Sequence, residues 1–135
     1  MKTIIFACVH SAGRSQMAAA FLNALADPAR VQGMSAGTQP AERVHPEVLA
    51  TMSEVGLDLS AAKPNLLTEA LAGTAALLVT MGCGDRCPYV PGLRRLDWEL
   101  QDPKGQPADV VRRIRDDIRA RVEKLVADEG WQRRA

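Results

Sequence analysis

Aromatic side chains are scarce in this chain: two Trp, one Tyr and two Phe among 135 residues. So few rings offer no surface on which nucleic-acid bases would stack. Excess charge is also missing, since 17 Lys and Arg stand against 16 Asp and Glu and leave +1. That balance gives no electrostatic pull towards nucleic acid or an anionic membrane. No apolar run approaches the roughly eighteen residues of a membrane span. The opening MKTIIFACVHSAGRS has one Lys and a brief apolar run, without the length or the cleavage site of a signal peptide. A cytoplasmic chain is expected, with neither membrane nor nucleic acid as a partner. Repeats, low-complexity stretches and linkers are absent too, so one domain is expected over residues 1–135. A domain of this length buries enough apolar surface to fold without disulfides or a metal. Three cysteines in a reducing compartment are then expected to serve chemistry rather than structure.

Apolar patterning supplies the fold class. Thr3–Ala7 is a short continuous apolar run, the pattern of a strand buried on both faces. A small polar loop follows, and then a helix with Met17, Phe21, Leu22 and Leu25 on one face, stopped at Pro28. Val31–Ala36 reads as a second strand, closed by Gly37. Pro46 starts a helix that runs to about Val55 and is capped by Gly56. Leu66–Leu71 reads as a short helix, Ala75–Met81 as a buried strand, and Leu93–Leu96 as a brief fourth strand. Val110, Ile114, Ile118, Val122 and Leu125 make one apolar stripe on a last helix. Strands alternating with helices predict an α/β domain with a four-stranded, mostly parallel sheet flanked by helices. Ligands of such sheets bind beyond the carboxyl ends of the strands.

The segment Cys8-Val9-His10-Ser11-Ala12-Gly13-Arg14-Ser15 falls at that place. A cysteine ends a strand, five residues follow, and Arg14 and Ser15 open a helix. The small residues Ser11, Ala12 and Gly13 let the backbone curl so that successive N–H groups converge, an anion nest reinforced by the positive end of the helix. Arg14 adds a planar fork of donors suited to a tetrahedral oxyanion. The same donors favour the thiolate of Cys8, and Ser15 is placed to donate to its sulfur. The plain alternative is a small buried hydrophobe that ends a strand.

Several motifs in order extend the pattern: Cys8-x5-Arg14-Ser15 with Gln16-Met17-Ala18, Met34-Ser35-Ala36-Gly37-Thr38, Val79-Thr80-Met81-Gly82-Cys83-Gly84-Asp85-Arg86-Cys87-Pro88, and Asp97-Trp98 to Asp102-Pro103. Over nearly the whole chain they resemble the arsenate reductases built on the low-molecular-weight tyrosine phosphatase fold. The resemblance implies an oxyanion loop from Val9 to Ser15, reduction of arsenate to arsenite by Cys8, and a disulfide relay through Cys83 and Cys87 that external thioredoxin regenerates. No bound cofactor is implied.

Cys83 and Cys87, with three residues between them, follow the strand predicted to end at Met81 and so fall at the sheet edge that carries Cys8. Glycines on both sides of Cys83 suit a thiol that must move. The spacing is not a usual zinc knuckle and the two histidines are distant in sequence, so no metal is expected. Expelling oxygen as water needs a proton donor. Asp102 takes that role by its match to the family's Asp-Pro loop, with Pro103 restricting its backbone; a turn aspartate is the alternative. Asp97 and Glu99 are weaker candidates. His45 is expected at the surface, as is the Arg-rich face from Arg112 to Arg121, while His10 lies in the loop with its direction open.

Two departures from the family's pattern stand out. His10-Ser11 replaces a frequent Gly-Asn, whose Asn takes a left-handed conformation that Ser tolerates less well. Ser11, Ala19 and Asn65 occupy positions where some members hold a potassium ion, so that ion is not expected here. The chief rival function is a phosphatase working through a phosphocysteine at Cys8, which needs neither Cys83 nor Cys87.

Overall fold

The path of the chain away from its first strand positions everything that follows. In a computed structural model, which describes residues 1–82 and 90–133, β1 (Lys2–Cys8) is followed by α1 (Arg14–Leu25) and β2 (Val31–Gly37). Next come α2 (Pro46–Ser53), α3 (Glu69–Ala72), β3 (Leu77–Thr80), β4 (Arg94–Asp97) and α4 (Ala108–Glu129). The four strands form one sheet in the order β2-β1-β3-β4, with every pairing parallel. From β1 the chain crosses to β2 on one side and later returns to β3 on the other. The carboxyl end of β1 is therefore a topological switch point, where diverging connections leave a crevice. Cys8 is the last residue of that strand.

Why β1 is central follows from its composition. Ile4 to Cys8 are all buried, and alternate residues serve two cores because successive side chains of a strand point to opposite faces. Ile4, Phe6 and Cys8 join the larger core with Met17 and Leu22 of α1 and Ile118 and Val122 of α4. Ile5 and Ala7 face the smaller one with Ala36, Ala72 and Leu78. A strand so used has no polar face, as its unbroken apolar run foretold.

Several boundaries differ from expectation. The helix expected at Leu66–Leu71 is α3, Glu69–Ala72, because the Thr68 side chain accepts the Leu71 N–H as an N-cap and fixes the start. Leu66 instead bridges to Gly37. The third strand keeps Leu77–Thr80 of the expected run, since only these residues pair with β1 and β4. The second helix stops at Ser53, and Gly56, with φ of 81°, closes the turn after it. α4 ends at Gly130, whose left-handed conformation (φ 70°) lets the Trp131 N–H reach the Val126 carbonyl, a Schellman arrangement. Trp131 is consequently buried, and Arg133 donates to the last carbonyls of α1 at Asn23 and Ala24.

The Arg-rich face of α4 is a correction in one respect. Arg115 is buried rather than solvated: its Nη1 donates to the Thr51 carbonyl and to Glu54 at 2.9 and 3.0 Å. It lies next to Ile114 on the edge of the apolar stripe, and α2 packs over that edge. Among the described residues, no helix is long and apolar enough to cross a membrane.

Candidate active site

Between β1 and α1 the backbone curls as the small residues allow. The carbonyls of Val9, His10, Ala12 and Gly13 accept from the N–H groups of Gln39, Ala41, His45 and Met17. That of Ser11 accepts from the Gln16 amide. All five carbonyl oxygens are thus engaged by groups outside the loop. In a planar trans peptide the N–H of the next residue points the opposite way, so the N–H groups of His10 to Arg14 turn towards the loop's interior. Gly13, the N-cap of α1, brings no side-chain cap, and the helix N-terminus is left to an incoming acceptor. That arrangement of carbonyls is compatible with the expected nest.

Cys8 sits beneath this loop, 2% exposed, with its Sγ 2.8 Å from Ser15 Oγ. The contact continues as a chain. Ser15 Oγ lies 2.6 Å from Ser35 Oγ, Ser35 Oγ 2.7 Å from Ser11 Oγ, and Ser11 Oγ accepts the Asn65 N–H at 3.2 Å. An N–H only donates, so Ser11 can pass its own hydrogen to Ser35, Ser35 to Ser15, and Ser15 to the sulfur. That order leaves a hydrogen directed at the Cys8 sulfur. Ser11 is the one described non-glycine residue with positive φ, at 51°. The conformation expected of an Asn at this position is thus taken by Ser, held by the two bonds its hydroxyl makes. Ser35, part of the Ser-Ala-Gly-Thr motif, and Asn65, considered above only for potassium, belong to this hydroxyl chain, a role their residue types alone do not reveal.

Arg14 opens α1 and is 7% exposed. Its Nη1 donates to the Leu100 carbonyl at 3.1 Å, and its Nη2 lies 4.0 Å from Asp102 Oδ2. The other Asp102 oxygen accepts the Lys104 N–H at 3.0 Å, while its side chain stays 46% exposed. The carboxyl expected to act as acid is thus beside the guanidinium and open to solvent, where a proton can be resupplied. Pro103 is buried and lies against Gly13. Asp97 is held by partners other than Arg14. It accepts from Thr80 and from Arg95, and these bonds, Thr80's first, hold its carboxyl below the usual range. It stays ionised and is a poor proton donor. Glu99 and Asp97 both line a cleft of about 450 Å³ with Thr80, Gly82, Arg95, Trp98 and Leu100, of which Gly82 and Leu100 lie against the Arg14 guanidinium.

His45 is not a plain surface residue. Its N–H bonds the Ala12 carbonyl, and its ring edge stands next to Gly13, so it walls the loop. Burial there lowers its pKa, against the opposing pull of Glu47 and Asp102. His10 directs Nδ1 to the Gln39 carbonyl and meets His45 edge to face, ring centres 6.2 Å apart. Around Ser11, Ala19 and Asn65 the side-chain amides are engaged as donors. Ala19 brings no donor atom, the Gln16 amide donates to the Ser11 and Lys63 carbonyls, and the Asn65 amide donates to the Ser35 carbonyl. Among the described residues no cluster of metal-ligating side chains occurs. Cys83 and Cys87 lie outside the described residues.

A profile of the low molecular weight phosphotyrosine protein phosphatase family matches residues 3–133. The chain belongs to this family. Members similar to it include a putative arsenate reductase of Halobacterium salinarum, 39% identical over 123 residues, covering 87% of this chain and 85% of that one. A glutaredoxin arsenate reductase of Synechocystis is 35% identical over 94% of this chain and 98% of its own. Among solved structures, a thioredoxin-dependent arsenate reductase of Corynebacterium glutamicum superposes with a TM-score of 0.82 at 40% identity. That match covers 95% of this chain and 61% of the Corynebacterium chain. Membership accounts for the four-stranded parallel sheet flanked by helices.

Proposed function

We propose that this protein reduces arsenate to arsenite through Cys8, with Cys83 and Cys87 as an internal disulfide relay and thioredoxin as electron donor. The observation that carries the reading is the buried Cys8 sulfur, bonded to Ser15 under a loop whose N–H groups turn inward, with Arg14 and Asp102 alongside. Arsenate is a tetrahedral oxyanion with the charge and size such a nest accepts. The naming of its relatives as arsenate reductases supports the same reading.

The chemistry balances with three thiols. The Cys8 thiolate attacks arsenic, and an oxygen leaves as water on a proton from Asp102, giving a Cys8–arsenic adduct. The loop amides and Arg14 hold its remaining oxygens. Cys83, as thiolate, attacks the Cys8 sulfur. A sulfur–sulfur bond forms, the sulfur–arsenic bond breaks, and its electron pair stays on arsenic, which departs as arsenite. Two thiols have lost two electrons and arsenic has gained two. Cys87 then attacks Cys83, releasing Cys8 and leaving a Cys83–Cys87 disulfide. A thioredoxin dithiol reduces that bond.

The test is to incubate reduced protein with arsenate alone, with phosphate as control, and map the disulfides by peptide mass. The expected result is a Cys83–Cys87 disulfide and one equivalent of arsenite. A second reading, favoured by the family itself, is a phosphatase using Cys8, Arg14 and Asp102. It predicts no oxidation, and turnover of a phosphate ester that Cys8→Ser abolishes; that outcome would overturn the reductase.

A further inference from the structure

The Arg14 guanidinium does not hang free over the loop. It is bonded to the Leu100 carbonyl on one side and faces Asp102 on another. A further neighbour is Gly82, two residues beyond the end of β3. A Cβ built at Gly82 would run into Arg14 Nη1, and would lie 3.1 Å from Cζ and 3.3 Å from Nη2. All three of its nearest atoms belong to one guanidinium. Gly82 also has a φ of 110°, a backbone state that side-chain-bearing residues rarely take. Its position is set from outside, because the Met81 N–H bonds the Ala7 carbonyl at 2.7 Å and ties the backbone next to it to β1.

We propose that Gly82 is a positioning residue for oxyanion binding, its bare Cα forming the seat on which the Arg14 guanidinium lies in the orientation that meets the anion. This rests on the reading of the Cys8 loop as an oxyanion site. Of the two parties, the strand end is pinned and the arginine is the flexible one. A methyl group at 82 therefore moves the guanidinium, breaking its bond to Leu100 and turning its fork away from the nest. Glycine at 82 thus serves two purposes, the positive φ and the room for Arg14. The residue after it, Cys83, is one of the relay thiols, so seat and relay are joined by a single peptide bond.

The test is a double-mutant cycle with inorganic phosphate as the probe, since phosphate has the shape of arsenate and does not oxidise thiols. Reduced wild type, Gly82→Ala, Arg14→Lys and the double variant are titrated by calorimetry, with melting temperatures alongside. Lysine supplies a cation without the planar fork, so it leaves the seat unused. Gly82→Ala is expected to weaken phosphate binding about tenfold or more when Arg14 is intact, the loss of a charge-assisted bond. In the Arg14→Lys background the same change is expected to weaken binding by no more than about twofold. Backbone strain at 82 is common to both backgrounds and cancels. Equal losses in both would mean that Gly82 acts on the backbone alone and would overturn the proposal. If Gly82→Ala does not fold, the double variant decides: recovery of folding supports a collision with Arg14, and failure to recover refutes it. Absence of phosphate binding by the wild type would overturn the oxyanion reading and this proposal together, an outcome distinct from the others.

Discussion

A methyl group at position 37 would sit 2.6 Å from the Val9 carbonyl oxygen, 2.7 Å from the Ser11 nitrogen and 2.8 Å from the Cys8 carbonyl oxygen. These are backbone atoms of the loop itself and have no rotamer into which to retreat. Gly37→Ala is therefore expected to distort the nest, costing about 2–3 kcal/mol of stability by overpacking and removing phosphate binding. Urea unfolding and phosphate titration of the same variant check both. At this scale the sequence was informative where a residue's chemistry shows in its type. Cys8, Arg14 and Ser15 were legible because a thiol, a guanidinium and a hydroxyl at a strand–helix junction have few joint uses. Ser35 and Asn65 were not, because hydroxyls and amides are common, and only the fold brings residues 24 and 54 positions from Ser11 onto its hydroxyl. The side to which His45 turns was equally hidden: residues between 38 and 45 wrap back along the loop, and no local pattern encodes that return.

Helices and strands divide in the same way. β1 and the α4 stripe were readable from periodicity, since each buries a continuous run or a regular face. The link between α2 and α4 was not. Arg115 and Arg112 both reach Glu54, and a run of alternating Arg and Asp looks solvated until a second helix is laid across it. This clamp carries a pH signature. Hydrogen bonding by Arg112, assisted by its charge and by Arg115, lowers the Glu54 carboxyl from its ordinary 4.5 to about 2. A carboxylate lowered on folding contributes stability that is full above about pH 4.5 and is lost as the pH falls through about 2. Glu54→Gln is expected to lower the melting temperature modestly at neutral pH and to flatten its fall across that acid window, so that the two curves converge near pH 2. Melting curves between pH 2 and 7 measure it. An unaltered acid limb would show that the clamp is not coupled to folding.

At the scale of the whole molecule, two cores of unequal size hold the sheet, and the larger one supports the floor of the site. Ile118 of α4 is fully buried in the cluster that contains Cys8, Met17 and Phe6. Ile118→Ala is expected to cost about 2–5 kcal/mol through lost burial and the cavity left behind, with phosphate affinity nearly kept, because Ile118 belongs to α4 and the core rather than to the loop. Chemical denaturation paired with calorimetry separates the two effects. The sequence by itself determined the class of fold, the central buried strand, the cysteine at its carboxyl end and the small-residue turn into a helix, because these follow from local apolar pattern and from the backbone freedom of particular residue types. Tertiary structure alone decided the strand order that puts Cys8 at a switch point. It alone brought Gly82, Leu100 and Asp102 around Arg14 and joined Ser11, Ser35 and Ser15 into one chain of hydroxyls. Those relations hold between residues far apart in sequence, and they come into being only when burial of both sheet faces folds the chain back upon β1.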